Sequence, residues 1–316
     1  MNWNPLAAIY GGVAGARNAL YDRGLLGSRQ LSGPVISVGN LSAGGSGKTP
    51  FVIVLGELLR ARGVSFDVLS RGYGRKTRGV LQVDPGGLAQ DFGDEPLLIA
   101  RRLQAHVVVG EDRYQAGRLA ESRFGAQMHL LDDGFQHRGL ARNFDIVLVT
   151  PEDARDRLLP AGRLREPLRA LRRADAVVLA SGASPEAFQL SGKTVWRVRR
   201  GIIAQGIPPR PVVFCGIARP RNFLLQLRAA GIDPVAEAFF RDHHAYTEKD
   251  VHELLQLKRR SEAGGFVTTE KDAVNLGGYF EVLAPLAVVP VRMELGDAAN
   301  AIDTMLRVIE ERRRRS

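Results

Sequence analysis

The sequence contains one cysteine, Cys215, in 316 residues. A lone thiol makes no internal disulfide and leaves no metal-type cysteine spacing, so a disulfide scaffold is excluded and a reducing compartment, the cytoplasm, is expected. Long apolar runs are also missing: nothing approaches the roughly 18 residues needed to span a bilayer. The first basic residue is Arg17, so the N-terminus lacks the cationic start of a secretory signal. Internal repeats and low-complexity tracts are absent too.

What is present has an ordinary globular balance, 45% apolar and 25% charged, in a chain longer than one average domain, so two lobes are expected. A net charge of +10 and a pI near 10.2 imply attraction to something anionic: nucleic acid, phospholipid head groups or a phosphorylated substrate. Composition does not choose among them, and arginine richness equally suits a solvated surface. The run Arg312 to Arg315 follows the amphipathic positions Ala301, Met305, Leu306 and Ile309. Cations complementing a helix C-terminus explain it.

Asn4 before Pro5 is a helix-start signature, and Leu6, Ile9, Tyr10, Val13 and Leu20 then recur at helical spacing, predicting a helix over residues 5–22. Its glycines and the arginines after it suit a membrane interface, while packing on the protein's own core is the alternative. From Pro34, short β-branched runs alternate with helix-length segments: 35–38, 64–69, 106–109, 128–131, 146–149 and 176–179. This pattern predicts a parallel α/β sheet. The proline-rich segment 207–211 reads as a linker. A second α/β series follows, with strands at 212–214, 235–240 and 286–291 and helices at 224–229 and 251–257. The expected organisation is a P-loop core over 1–207, a smaller α/β lobe over 208–296, and a C-terminal helix over 297–316 returning to the core.

The strand 35–38 runs into Gly39-Asn40-Leu41-Ser42-Ala43-Gly44-Gly45-Ser46-Gly47-Lys48-Thr49, and an apolar helix follows. Glycines let backbone N–H groups face phosphate oxygens, the helix N-terminus favours anions, and Lys48 adds a movable charge. Thr49 can hold Mg²⁺ through its hydroxyl. Ser42 replaces the first glycine of the general pattern, but the strand and helix context is correct. Ser42, Ala43, Gly44, Gly45, Ser46, Gly47, Lys48 and Thr49 are therefore the expected nucleotide-binding residues. A carboxylate at the end of a neighbouring strand is also needed, and His129-Leu130-Leu131-Asp132-Asp133 supplies it; which of Asp132 and Asp133 meets the metal is open. No Asn-Lys-x-Asp string marks a guanine pocket, so ATP is the expected nucleotide. Gly72-Tyr73-Gly74 lacks the third glycine and acidic partner of a dinucleotide site.

Activation of a hydroxyl for phosphoryl transfer calls for positioning and a proton acceptor. Asp94, in Gly93-Asp94-Glu95-Pro96, and His243, in Arg241-Asp242-His243-His244, both precede helix-like segments, and a pair between them across an interlobe cleft is one reading; a helix cap and a surface histidine are the other. Asp132, Asp133, Asp242, His243 and His244 could instead ligate the metal of a phosphohydrolase, although Lys48 would then be superfluous. Thr268, Thr269, Glu270, Lys271 and Asp272 form a further polar cluster after the strand-like Phe266 and Val267, which a capped helix start explains equally well.

Taken together and in order, the strings SVGNLSAGGSGKTP, LSRGYGR, FGDEP, LLDDGFQHR, PAGRLREP, RDHHAYT and VTTEKDAV resemble the tetraacyldisaccharide 4'-kinase family over most of the chain. The resemblance implies transfer of the ATP γ-phosphate to the 4'-hydroxyl of an acylated, 1-phosphorylated glucosamine disaccharide. It places the work at the cytoplasmic face of a Gram-negative inner membrane; separately, no nucleic-acid partner is expected, since no nucleic-acid motif or aromatic platform is present, and a monomer is expected although the sequence does not disclose the oligomeric state. It also implies phosphate and Mg²⁺ contacts from Lys48 and Thr49, metal-side acids at Asp132 and Asp133, and a base and partner at Asp94 and His243, in either order. Arg71, Tyr73 and Arg75, and Arg163, Arg165 and Glu166, are the implied nucleotide or substrate-phosphate contacts, and the helix over 5–22 is implied to dock on the membrane. The competing expectation is a nucleotide-switched P-loop protein that binds an anionic partner.

Overall fold

The computed structural model describes residues 5–315; Asn4, read as part of a helix start, lies outside them. The chain begins with α1 (Pro5–Asp22), then β1 (Val35–Asn40), α2 (Lys48–Ala61), β2 (Phe66–Ser70), β3 (Leu81–Gln82), α3 (Ala89–Phe92), α4 (Asp94–Leu103), β4 (Val107–Val109), α5 (Arg113–Phe124), β5 (Met128–Asp132) and β6 (Phe144–Val149). β7 (Ala176–Leu179) and β8 (Thr194–Ile202) follow. A second lobe contains β9 (Val212–Cys215), α6 (Pro220–Ala229), β10 (Ala236–Phe239), α7 (Glu248–Arg260), β11 (Phe266–Thr269), α8 (Glu270–Leu276) and β12 (Leu286–Val289). The chain returns through β13 (Val291–Leu295) and closes with α9 (Ala298–Arg315).

Two sheets result, as the alternating pattern predicts. The larger has the order β13-β8-β7-β6-β1-β5-β2-β4-β3, parallel except at its two ends, where β13 and β3 run antiparallel to their neighbours. The smaller, β10-β9-β11-β12, is parallel throughout. β1, β2, β5 and β6 are buried at every position, which is why they read as continuous apolar runs rather than alternations. Phe51, Leu55 and Leu59 repeat every four residues along α2 and are fully buried against this sheet, each contributing about 1.5–3 kcal/mol. β1 lies between β5 and β6, and the chain winds outward from it in both directions, so a crevice opens at the carboxyl end of β1.

Two boundaries differ from the sequence reading. The strand expected at 286–291 is two strands in different sheets: β12 ends at Val289, Pro290 interrupts, and β13 pairs antiparallel with β8 in the large sheet. Residues 291–295, assigned to the smaller lobe, therefore belong to the core, because proline carries no N–H to continue a ladder. β8 was not anticipated. It buries Trp196 and Val198 while Arg197 and Arg199 face outward, an alternation that the charged residues obscure. α9 packs Ala301, Ile302, Met305 and Ile309 into the main core, and Arg312 holds Asp175 at 2.6 Å. Among the described residues no helix is long and apolar enough to cross a membrane.

Candidate active site

The loop between β1 and α2 has Gly44, Gly45 and Gly47 at φ of 74°, 66° and 87°, the left-handed region in which glycine is unstrained. At the end of β1, a Cβ on Gly39 would lie 2.5 Å from Phe135 Cβ, so the strand reaches the loop after β5 only because this position has no side chain. The start of the loop is zipped to a distant segment: Ala43 N donates to Arg163 O at 2.7 Å, and Arg165 N donates to Leu41 O at 2.6 Å. Lys48 Nζ lies 3.0 Å from Asn40 Oδ1 and 3.4 Å from Asp133 Oδ1. The residues Ala43 to Thr49 line a cavity of about 1590 Å³ between the lobes, whereas Ser42 is fully buried behind it.

Asp132 and Asp133 are adjacent yet differ sharply. Asp132 ends β5, is buried, and accepts from Ser70 Oγ at 2.9 Å on Oδ2, while its buried Oδ1 has no hydrogen-bond partner among the described atoms. Burial, then the charges of Glu95 and Asp133, push its pKa up to about 7 against the opposing pull of Lys48 and Ser70. Asp133 has φ of 50°, which turns its carboxylate toward Lys48 and Arg165. Burial would raise its pKa, but Lys48 and Arg165 outweigh it and hold it below the ordinary value.

Across the cavity, the helix start of α4 meets the loop before α7. His243 Nδ1 lies 2.9 Å from both oxygens of Asp94, Asn275 Nδ2 donates to Asp94 Oδ2 at 3.0 Å, and Glu95 N donates to Asp94 Oδ1 at 2.8 Å. Lys271 Nζ stands 3.8 Å from Asp94 Oδ2. Burial raises the Asp94 pKa, but these donors and charges more than reverse it, so the carboxylate is ionised. His243 has φ of 58° and stacks its ring, tilted, 5.0 Å from that of Tyr73. Burial lowers its pKa, but the hydrogen bond and charge of Asp94 raise it further than burial lowers it.

Among the other residues singled out from the sequence, Arg71, Tyr73, Arg165 and Glu166 line the same cavity. Arg75 does not: its guanidinium is nearly buried and binds Gly79 O at 2.6 Å and Glu111 at 2.8 Å, which staples its own loop. Arg163 is likewise turned to Asp156 at 2.7 Å. Glu166 is held by Arg173 at 2.8 Å and by Asn18 of α1 at 2.6 Å. The sequence reading passed over Asn275, Arg113, Gln136 and His137, and named Lys271 only within a polar cluster that a helix start explains equally well. Gln136 and His137 follow directly on the two aspartates, a signal within the string already quoted, whereas Lys271 was masked by the helix-capping threonines beside it. Burial, then Arg113, pushes the His137 pKa down to about 4, so it is a neutral imidazole near pH 7.

The family model described as Tetraacyldisaccharide-1-P 4'-kinase matches residues 2–310. The chain belongs to that family. Proteins named tetraacyldisaccharide 4'-kinase match it closely: that of Koribacter versatilis is 50% identical, covering 98% of this chain and 99% of its own. That of Aquifex aeolicus is 40% identical over 89% of this chain and 91% of its own. A crystal structure of LpxK from Aquifex aeolicus in complex with ATP superposes with a TM-score of 0.79 at 34% identity, over 96% of this chain and 98% of that one. Membership of this kinase family favours the lipid-kinase expectation over the nucleotide-switch one, and the mixed α/β, parallel-dominated core agrees with the solved relative.

Proposed function

We propose that this protein transfers the γ-phosphate of ATP to the 4'-hydroxyl of a tetraacylated, 1-phosphorylated glucosamine disaccharide, with Asp94 accepting the hydroxyl proton. The observation that carries this reading is that the phosphate loop and His243 line one cavity from opposite lobes, and that His243 reaches across to Asp94, buried at the start of α4 in the core lobe. An ionised carboxylate with an Nδ1–H donor at its side is a proton acceptor whose orientation is fixed. Lys48 and the loop N–H groups would hold the β- and γ-phosphates, and Arg165 would stand beside them. His137, neutral, and the cations Arg17, Arg71 and Arg113 line the same cavity and suit an anionic sugar phosphate.

Magnesium fits the residues present. The buried, unpartnered Oδ1 of Asp132 and the largely buried hydroxyl residue Thr49 flank the phosphate loop, and a P-loop site needs only such a carboxylate and hydroxyl besides the phosphates themselves. When bound there, the ion would neutralise phosphate charge.

The protein is further proposed to work as a monomer on the cytoplasmic face of the inner membrane, and the exposed apolar side of α1 supports the docking part of that reading. Leu6, Ile9 and Val13 are 62%, 63% and 66% exposed along one side, while Tyr10, Ala14, Arg17 and Asn18 on another side line the cavity. A helix with one apolar face outward and one face on the site can rest in the head-group region and deliver acyl chains beside the reacting hydroxyl. The test is transfer of labelled γ-phosphate from ATP to the 1-phosphorylated tetraacyl-disaccharide in mixed micelles, with Lys48→Ala alongside. No transfer by folded, ATP-binding protein would sink the reading.

A further inference from the structure

We propose that Lys271 is a positioning residue for the Asp94–His243 pair: its ammonium occupies the Nε2 side of the imidazole and holds His243 in the neutral form that donates from Nδ1 to Asp94. The proposal rests on the proton-acceptor reading above and adds a residue to it.

Lys271 Nζ lies 3.2 Å from His243 Nε2, 3.0 Å from Asp242 Oδ1 and 3.5 Å from Glu95 Oε1. An ammonium has three donors and no acceptor, so a contact with Nε2 requires that this nitrogen carry its lone pair. The ring proton then sits on Nδ1, facing Asp94. Burial weakens Lys271 as a cation, but Asp94, Glu95 and Asp242 more than compensate, so the donor stays charged.

The groups that face His243 pull in opposite directions. Asp94 at the start of α4 and Asp242 in its own loop favour a second ring proton, Tyr73 packs against the ring, and Lys271 on α8, itself paired with Glu95, opposes the second proton. Were the ring to take that proton, an imidazolium would lie 2.9 Å from both Asp94 oxygens and depress their proton affinity far more than an ammonium at 3.8 Å does. Lys271 thus keeps the carboxylate competent as an acceptor.

The placement is built in. Asp272, the next residue, is fully buried and accepts from Gly216 N at 2.6 Å, and Gly216 O in turn accepts from His243 N at 3.2 Å. One glycine therefore fixes both the first turn of α8 and the backbone of the histidine.

The test combines ¹⁵N imidazole NMR on the full chain with kcat against pH, in wild type, Lys271→Met, Lys271→Gln and Lys271→Arg. His243→Gln identifies the resonance among the six histidines. In Lys271→Met and Lys271→Gln the His243 midpoint should rise by about one pH unit or more, a tenfold change in proton affinity. The acid limb of kcat should move with it, so that turnover is lost mainly below neutrality and recovers toward pH 9, with KM for ATP unchanged. Lys271→Arg should restore the wild-type midpoint. An unmoved midpoint in either uncharged variant, or a loss of turnover equal at every pH, overturns the proposal. Full turnover in Asp94→Asn would instead remove Asp94 as the acceptor, and the NMR midpoints would still decide the role of Lys271.

Discussion

Arg165 donates from Nη1 to both carboxylate oxygens of Asp133, at 3.1 and 2.9 Å. Because the backbone of Arg165 is also tied to Leu41, this contact fixes the phosphate loop and the acid that faces Lys48 as one unit. Arg165→Ala is expected to raise KM for ATP and to lower kcat/KM by roughly tenfold to a hundredfold, the loss typical of a charge-assisted hydrogen bond. Arg165→Lys should not fully restore it, since the shorter lysine stem does not bring its ammonium to the position from which the single nitrogen Nη1 meets both oxygens. Steady-state kinetics of both variants decides; full rescue by lysine would contradict the geometric account.

Lys48 and Asp94 should separate in kinetics. Lys48→Ala removes a largely buried cation from the phosphate site and should cost about 3 kcal/mol in kcat/KM, roughly a hundredfold, through weakened nucleotide binding. Asp94→Ala should lower kcat by about 10²- to 10⁴-fold while nucleotide affinity is kept. Calorimetric titration with nucleotide, set beside turnover, tests the division; equal loss of ATP binding in the two variants would refute it.

The outer face of α1 can be tested without touching the site. Replacing Leu6, Ile9 and Val13 together with serine removes apolar surface that is already exposed, so unfolding stability should stay within about 0.5 kcal/mol. Partition onto anionic vesicles should fall by about a hundredfold, from roughly 1 kcal/mol lost per side chain. A cooperative loss of folding instead would assign the helix to core packing.

At the opposite end of the sheet from the phosphate loop, His129 is buried with Nδ1 2.7 Å from Asp67 and Nε2 3.6 Å from Glu121. Burial lowers the His129 pKa, but the two carboxylates raise it above 6.5 overall. A raised folded-state value means that the proton is bound more tightly in the folded protein. The stabilisation is therefore complete below pH 6.5 and is lost as pH rises through the folded-state pKa. Asp67, raised chiefly by burial, works in the same direction above 3.8, and Glu121, lowered despite burial by its backbone donors, contributes above 4.5. Thermal unfolding of wild type should weaken between neutral pH and pH 9, whereas His129→Gln, destabilised by about 1–3 kcal/mol at pH 6, should show a flatter profile. Parallel profiles for the two proteins would exclude His129 as the titrating group.

Much of the site could be read from local order. The phosphate loop and the two aspartates stand out because strand, glycine-rich turn and helix start are consecutive in the chain, whereas Asp94 and His243 remain one of two readings until the family resemblance is added. Arg75 and Arg163 show where that reading stops: each lies in a string that resembles the family's, yet each guanidinium is turned to a neighbouring loop. Side-chain direction depends on which acceptors the fold brings near, and spacing along the chain does not encode it.

The sequence by itself determined the nucleotide loop, the α/β class and the family, since these rest on contiguous residue patterns whose backbone requirements are local. Only the tertiary structure decided that β13 rejoins the large sheet, that Asp132 is buried with one oxygen unpartnered among the described residues while Asp133 is held by two cations, and that Lys271 meets His243. The physical reason is common to all three. Pairing, burial and charge contact depend on distance in space, and Asp94 and His243, 149 residues apart in the chain, become neighbours only when two separately wound sheets close on one cavity.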